Sequence, residues 1–383
     1  MRDDPALPGY TDPAKKRALL AAGASGTIYS LVMPESEAAL ARVIDGCDRA
    51  EVIGAPDALA QLDAARRTHY LSRYHEPWMQ KQDAMHVEYF DRWLAWSAPV
   101  VTLDAPDFPH RYPTAGASEG IFKLIAEYAA ACRLAGRDPA LHLFEGEYEG
   151  FPAYAAALGI PVTRHVRDAW REVPARIEPH AQFWLSQPSA IDGNVWDDFE
   201  PFAARLERER PEVALIPDLT YVGSVARDFA IDLRFANIPA FVISHSKPFG
   251  GYYHRVGGVF ARTELPSLFG NKWFKNLQSL AWGVEMMQRH AVHDLPRRYR
   301  PVQEAAATAV AKRLDLPSLR PADVMLLGIA EPFDAMPDAV AAVVRGSGSD
   351  RVIRLCLTPT MTAMIDPAMA PGMAHLTGTS HAD

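Results

Sequence analysis

The most informative stretch of the sequence is Pro239-Ala240-Phe241-Val242-Ile243-Ser244-His245-Ser246-Lys247-Pro248-Phe249-Gly250, with Arg255 shortly after it. Its apolar first half is short and rich in β-branched and aromatic residues, which predicts a buried strand. The strand would deliver Lys247 to its C-terminal edge. An amine there can form a Schiff base with a carbonyl compound, and Ser244 and Arg255 can hold a phosphate. The alternative at this point is a surface lysine in a turn.

The composition of the 383 residues sets the broad class. Apolar residues make up 49% and charged residues 22%, as in soluble globular proteins. A net charge of −8 argues against nucleic-acid binding. The widely spaced Cys47, Cys132 and Cys356 fit a reduced compartment better than a disulfide framework or a zinc site. Neither a signal peptide nor a membrane span is predicted, so we expect a cytoplasmic protein.

From about residue 99, short apolar strands alternate with amphipathic helices. The predicted strands are Val100–Leu103, Leu141–Phe144, Val162–His165, Gln182–Leu185, Val213–Ile216 and Phe241–Ser244. The helices between them are Glu119–Leu134, Phe151–Leu158 and Trp196–Arg208, the last capped by Asp192 or Asn194. This alternation predicts an α/β fold with a large domain built on a mostly parallel, doubly wound sheet. Ligands bind beyond the C-terminal ends of such strands.

The two ends of the chain have a different pattern. Residues 1 to about 30 predict a loose arm, and helices are expected at Glu35–Ala50, Asp57–His75 and Ala84–Trp96. Further helices are predicted at Asn276–His293 and Val302–Leu314, separated by Pro296 and Pro301. The strand–helix–strand pattern Val324–Ile329, Pro337–Val344 and Arg351–Leu357 then predicts a small α+β domain, with Gly346 to Ser349 as a turn.

These patterns predict three regions. Residues 1–60 would form an N-terminal arm and part of the small domain, and residues 61–290 the large domain. Residues 291–383 would form the C-terminal small domain, with a flexible tail from about Ala368.

Two motifs could contact a flat, phosphorylated ligand. Gly116, Ala117 and Ser118 precede a clear helix, whose exposed N–H groups and dipole favour a phosphate. Such helix starts are also common without a ligand. Tyr148 follows a predicted strand and could stack on a ring, or it could be an ordinary half-buried tyrosine.

Two further motifs supply charge. Asp218, at a strand end, could pair with a protonated ring nitrogen, with Tyr221 donating to a ring oxygen; a turn aspartate capping a helix is the alternative. Arg354 lies in an apolar strand and should therefore have an anionic partner. That partner is either a substrate carboxylate or a structural Asp or Glu.

Together, residues 100 to 360 resemble the fold-type I pyridoxal-phosphate enzymes, and among them the class I/II aminotransferases. The resemblance implies a phosphate-binding turn at Gly116, Ala117 and Ser118, a ring-stacking Tyr148, and Asp218 and Tyr221 at the pyridine nitrogen and O3′. It also implies phosphate contacts from Ser244 and Arg255. Lys247 would carry the cofactor as a Schiff base, and Arg354 would bind the substrate α-carboxylate.

One segment departs from the family pattern. In Ser186-Gln187-Pro188-Ser189-Ala190-Ile191-Asp192-Gly193, Gln187 replaces an asparagine, and Ala190 stands where the family has a second asparagine that touches O3′. Alanine cannot donate that hydrogen bond, which could shift the enzyme away from plain transamination. Tyr74 is a candidate for contacting a partner subunit's phosphate.

The implied activity is transamination between an α-amino acid and a keto acid, in a homodimer without a metal. Elimination or replacement, decarboxylation and oxidation remain alternatives, since all use the same residues. Outside this class, Ser244-x-x-Lys247 could be a serine acyl-transfer motif, or the chain could be a silent binding protein with this fold. We interpret His290, His293 and Asp294 as a solvated helix end, and Glu145, Glu147 and Glu149 as a solvated loop.

Overall fold

A computed structural model describes residues 12–46, 60, 64, 66, 67, 83–273 and 276–367. Its helices are α1 (Pro13–Ala21), α2 (Pro34–Asp45), α3 (Asp83–Ser97), α4 (Ala117–Leu134), α5 (Gly150–Ala157), α6 (Val173–Arg176), α7 (Phe199–Glu209), α8 (Leu277–Arg289), α9 (Asp294–Leu314), α10 (Asp338–Ala341) and α11 (Thr358–Ile365). None of these described helices is long and apolar enough to cross a membrane. Nearly all of the predicted helix Asp57–His75, Tyr74 and the predicted flexible tail lie outside the described residues.

The strands form three sheets. They are β1 (Val101–Thr102), β2 (His110–Thr114), β3 (Leu141–Phe144), β4 (Val162–His165), β5 (Gln182–Ser186), β6 (Ala214–Asp218), β7 (Ile231–Asp232), β8 (Ala240–Ser244), β9 (Gly257–Ala261), β10 (Arg320–Pro321), β11 (Leu327–Ala330), β12 (Val344–Arg345) and β13 (Val352–Cys356). The main sheet has the order β2-β9-β8-β6-β5-β3-β4. Within it β9 alone runs opposite to the other six strands, which share one direction. The predicted mostly parallel sheet is confirmed.

Side chains from alternate positions of the main sheet point to opposite faces, and both faces are covered. On one face Leu143 and Val242 pack with Ile121 of α4. On the other face Phe144 and Phe241 belong to a larger apolar cluster that also contains residues of α3, α7 and α8. Helices therefore cover both faces, as expected of a doubly wound sheet.

Three details of the predicted sheet are wrong. Val100–Leu103 does not enter the main sheet, because Val101 and Thr102 pair with β7 in a separate two-stranded sheet. Strand β9 lies beside β8, and β2 lies beyond β9 at the edge of the sheet; neither strand was predicted. Their sequences, Gly-Gly-Val-Phe-Ala and His-Arg-Tyr-Pro-Thr, contain glycine, proline and charged residues that weaken the strand signal.

The helices also correct several expectations. The N-terminal arm contains α1, which has Asp12 as its N-cap. Pro296 and Pro301 do not separate two helices, since both lie within α9. Pro296 is in the first turn, where backbone N–H groups have no intrahelical partner. Neither Asp192 nor Asn194 caps α7, whose first residue is Phe199.

The predicted solvated end at His290 to Asp294 is a tight junction between two helices. His293 is buried, and its Nδ1 lies 3.0 Å from the carbonyl oxygen of Val225. Asp294 begins α9 and accepts a hydrogen bond from the backbone N–H of Ala291 at 2.7 Å. The prediction is therefore wrong for His293, whereas the partly exposed His290 does lie at a helix end, as the C-cap of α8.

The predicted small α+β unit is present. Its sheet is antiparallel, with the order β10-β11-β13-β12. The N-terminal segment joins it, because Ser25 forms a β-bridge with Cys356 at the end of β13. The domain limits at residues 60 and 290 remain a prediction.

Candidate active site

Where β3, β5, β6 and β8 end, a cavity of about 390 Å³ opens between the main sheet, the small sheet and the N-terminal segment. Nearly all the predicted site residues line it: Ala117, Ser118, Tyr148, Asp218, Tyr221, Ser244, Lys247, Arg255 and Arg354. Gly116 does not line the cavity itself but lies against the guanidinium group of Arg255, which does. Parallel strands thus bring residues that are more than a hundred positions apart to one edge of the sheet.

Lys247 lies three residues beyond the end of β8. Its amine donates a hydrogen bond to the carbonyl oxygen of Ile28 at 2.6 Å. Burial lowers the pKa of this amine to about 8, and the guanidinium groups of Arg255 and Arg354 also lower it. A sizeable neutral fraction near pH 7 makes the amine a nucleophile and a base.

One end of the cavity is suited to an anion. Gly116 caps α4 with a φ of +82°, so the helix N-terminus faces the cavity at Ala117 and Ser118. The Arg255 guanidinium donates to the Ala115 carbonyl at 2.9 Å, which holds it beside this helix start. Ser244 adds a hydroxyl group from the end of β8. Helix dipole, hydroxyl groups and guanidinium are groups that together can hold a phosphate.

The Ser244-x-x-Lys247 acyl-transfer alternative requires the serine at a helix start. Ser244 is instead the last residue of strand β8, and its Oγ accepts a hydrogen bond from the backbone N–H of Ser246 at 3.2 Å. The geometry therefore disfavours that alternative.

Asp218 is the last residue of β6 and is buried. Its Oδ1 accepts hydrogen bonds from the Thr220 backbone N–H at 3.0 Å and from the Thr220 hydroxyl at 2.5 Å. Burial nevertheless raises the pKa of the Asp218 carboxyl to about 6. A cation near the carboxylate would offset this desolvation.

The two tyrosines remain protonated at neutral pH. Burial raises the pKa of the Tyr148 hydroxyl to about 12, and it raises that of Tyr221 further. The Tyr148 hydroxyl lies 3.4 Å from Ser118 Oγ, which joins the loop after β3 to the start of α4.

Arg354 lies in β13, 3% exposed, as the sequence predicts. None of the ion pairs among the described residues includes it. It donates from Nη1 to the Ala190 carbonyl and from Nη2 to the Gly26 carbonyl at 3.5 Å, while its buried Nε has no hydrogen-bond partner among the described residues. Burial lowers the pKa of this guanidinium, an effect that Arg345 reinforces. A carboxylate would supply the missing acceptor.

The sequence analysis missed a charged pair in the cavity. Glu149, at the N-terminal end of α5, forms an ion pair with Arg345 of β12. Burial raises the pKa of Glu149, but Arg345 and Arg354 outweigh this effect and hold the pKa below its usual value. Nothing in the local sequence links residues 196 positions apart. The residues that the N-terminal segment contributes to the cavity, Gly26, Thr27 and Ile28, carry no signal either.

Glu147 was expected in a solvated loop but is buried. Its carboxylate accepts hydrogen bonds from the Ser186 hydroxyl at 2.6 Å and from the Ser186 backbone N–H at 3.1 Å. Burial raises the pKa of Glu147 to about 7, although these hydrogen bonds act in the opposite direction. Ser186 Oγ also accepts from the backbone N–H of Ala190 at 2.6 Å, so Glu147 helps to fix the Ala190 loop.

Solved structures share this architecture over most of the chain. A methionine aminotransferase from Escherichia coli is 16% identical, with a TM-score of 0.54 over 73% of this chain and 82% of its own. An aminotransferase from Staphylococcus aureus has a TM-score of 0.57 at 11% identity, covering 92% of both chains. The chain has the fold of these enzymes. A pyridoxal-phosphate-bound C–S lyase from Staphylococcus hominis shares the fold too, at 14% identity and a TM-score of 0.55 over 77% of this chain and 85% of its own.

No protein-family model matches the sequence, and no curated protein matches it. The fold that the resemblance implied is confirmed by the architecture shared with these solved structures.

Proposed function

We propose that this protein is a pyridoxal-phosphate-dependent aminotransferase that acts on an α-amino acid and a keto acid, with Lys247 as the lysine that carries the cofactor. One observation carries the proposal. A buried lysine, whose pKa is lowered to about 8, shares a cavity with a candidate anion site, a buried aspartate and an arginine that forms no ion pair with a described residue.

The residues of the cavity fit pyridoxal phosphate. A Cβ atom on Gly116 would lie 2.7 Å from Arg255 Nη2, so only glycine leaves the guanidinium beside the start of α4. A phosphate would bind there, with Ser118 and Ser244 as additional donors. Asp218 can pair with a protonated ring nitrogen, which would offset its desolvation. When bound, the cofactor supplies a carbonyl carbon for the lysine amine and a ring that withdraws electrons.

The protein's own residues would then bind substrate and move one proton. Arg354 binds the α-carboxylate, which provides a hydrogen-bond acceptor for its Nε. The neutral amine of Lys247 removes the proton from the substrate Cα and would return it to a carbon of the cofactor. Tyr148 lines the same cavity and would stack on the ring, and the protonated Tyr221 hydroxyl would serve there as a hydrogen-bond donor.

The alternative is another pyridoxal-phosphate reaction on an amino acid: elimination or replacement, decarboxylation or oxidation. Ala190 supports it, since this residue lines the cavity where its methyl group cannot donate a hydrogen bond. A C–S lyase among the structural neighbours is a second reason to keep it. Transamination is favoured because the other two neighbours described above are named as aminotransferases. Keto acid formed in a one-to-one ratio with aminated cofactor distinguishes transamination from these reactions.

The visible absorption spectrum of the purified protein tests the proposal. With pyridoxal phosphate we expect a yellow band that borohydride bleaches, that shifts with one or more amino acids from a panel, and that is altered in Lys247→Ala. The exposed Lys312 of α9 provides the control variant, Lys312→Ala. A protein that stays colourless after incubation with pyridoxal phosphate would overturn the assignment.

The proposal includes a homodimer in the cytoplasm that acts on small molecules and binds neither nucleic acid nor membrane. The dimer rests on the resemblance to enzymes whose active sites are shared between subunits. Sedimentation equilibrium tests it, and an active monomer would contradict it. Cell fractionation tests the location.

A further inference from the structure

Arg167 is a buried charge outside the cavity that the proposed chemistry does not use. It follows β4 directly, and its side chain is only 6% exposed. Burial opposes the charge, but Asp192 and Asp350 raise the pKa of the guanidinium above its usual value. Burying a charged arginine costs free energy of desolvation, and only well-aligned partners offset that cost.

The partners of Arg167 come from two parts of the molecule. From the small sheet side, Asp350 accepts a bidentate pair of hydrogen bonds, from Nε at 2.5 Å and from Nη2 at 3.1 Å. From the loop after β5, Asp192 accepts from Nη2 at 2.8 Å and Ser189 Oγ accepts from Nη1 at 3.0 Å. One planar group thus ties that loop to the start of β13.

The same loop and the same strand meet a second time at the cavity. Ala190, between Ser189 and Asp192, offers its carbonyl oxygen to Nη1 of Arg354. Arg354 lies four residues after Asp350 on the same short segment. Arg167 and Arg354 therefore close a ring of contacts between the loop and β13, and only Arg354 faces the cavity.

We infer that Arg167 is a positioning residue for the carboxylate site: it aligns Arg354 by fixing both Asp350 and the Ala190 loop. This inference rests on the proposed function, because it takes Arg354 as the group that binds the substrate carboxylate. Arg167 acts only through the loop and the strand.

Two variants weaken the contacts of Arg167 that join the loop to β13, and both leave Arg354 in place. Arg167→Lys keeps the charge but loses the bidentate geometry, and Asp350→Asn keeps the size of the partner but removes its charge. The control is Arg171→Met, in the same 3₁₀ helix, Arg167–Glu172. Arg171 is exposed, stacks over Trp170 at 4.2 Å and lies 4.0 Å from Asp198, which is outside the loop.

The probe is propionate, a carboxylate that has no amino group to react, titrated into the cofactor-loaded protein and followed by visible absorbance. In both variants we expect the apparent dissociation constant for propionate to rise about tenfold, because small displacements of a binding group cost much of its contribution. The dissociation constant for pyridoxal phosphate should change by less than about twofold, since the residues proposed to bind the cofactor are not among the contacts that join the loop to β13. Arg171→Met should have the same dissociation constants for propionate and for pyridoxal phosphate as the wild type.

Kinetics separates positioning from general damage to the fold. With an amino acid that shifts the spectrum, KM should rise about as much as the propionate constant in Arg167→Lys and Asp350→Asn, while kcat stays within about threefold. Unchanged propionate binding, or equal losses in cofactor and propionate affinity, would overturn the inference. A wild-type protein that binds no pyridoxal phosphate would instead contradict the proposed function.

Discussion

At the scale of single residues, we expect Glu149 to oppose the binding of a carboxylate at Arg354, because both residues line the cavity. Glu149 pairs with Arg345, and its low pKa reflects both Arg345 and Arg354. We predict that Glu149→Gln binds propionate about three to ten times more tightly, because a unit charge several ångströms from Arg354 is worth on the order of 1 kcal/mol in a partly solvated cavity.

The gain should shrink as salt screens the interaction. The matched control is Glu172→Gln, which removes an exposed carboxylate that pairs with Arg176 on the surface. Weaker propionate binding in Glu149→Gln would show that the Arg345 pair holds the site together instead.

His245 is the residue whose burial should make stability depend on pH. Its ring lies among Tyr89, Trp96 and Phe249, and neither ring nitrogen has a hydrogen-bond partner in the part of the chain that the structure describes. Burial lowers the pKa of His245 to about 3. Since this value is below that of an unfolded histidine, only the unfolded chain takes up the proton as the pH falls from about 6.5 towards 3, and stability falls with it.

We predict that His245→Leu loses less stability than the wild type between pH 7 and pH 4.5. The difference should be about 2 to 3 kcal/mol in the free energy of unfolding, measured by urea denaturation at both pH values. The exposed His180, replaced in His180→Asn, serves as the control. Equal pH dependence in wild type and His245→Leu would mean that water reaches this ring.

At the scale of elements, helix α4 has a glycine with positive φ at each end, Gly116 at +82° and Gly136 at +66°. A Cβ atom on Gly116 would meet Arg255, whereas on Gly136 it would meet nothing within 4 Å. We predict that Gly116→Ala weakens pyridoxal phosphate at least about tenfold, because it displaces the guanidinium from the helix start.

Gly136→Ala carries a similar backbone cost of about 1 kcal/mol and should leave cofactor affinity unchanged. Both affinities can be measured by absorbance titration. Comparable losses in the two variants would place the effect in the stability of the helix and not in the anion site.

The elements also show what local sequence can predict. Strands β3 and β4 match their predicted limits, because each is a short apolar or β-branched segment bounded by turn residues. Strands β9 and β2, which complete the main sheet beyond β8, escaped prediction, since Gly257 and Gly258 of β9 favour loops unless neighbouring strands fix them. The continuous α9 was missed because local rules treat Pro296 and Pro301 as breaks, while tertiary packing of residues such as Tyr299 and Gln303 keeps the helix together.

At the scale of the whole molecule, those parts of the candidate site were predictable in which the type of a residue and its place in the sequence already indicate a chemical role. Lys247, Asp218 and Arg354 each carry a charge at the end of, or within, an apolar strand, which is unusual enough to be noticed. The Glu149–Arg345 pair depends on a contact that no local pattern encodes. Gly146, in the loop before Glu149, lies directly against the backbone of Gly346, and a side chain there would separate the two sheets.

The hydrogen bond between Lys247 and Ile28 has a consequence for the synthesis of the protein. It joins positions 219 residues apart, and the Ser25 bridge to Cys356 spans most of the chain. A nascent chain that has emerged only as far as β9 contains every strand of the main sheet but lacks β13 and Arg354. Such long-range contacts form late, so the ribosome must release nearly the entire polypeptide before the lysine acquires its final surroundings.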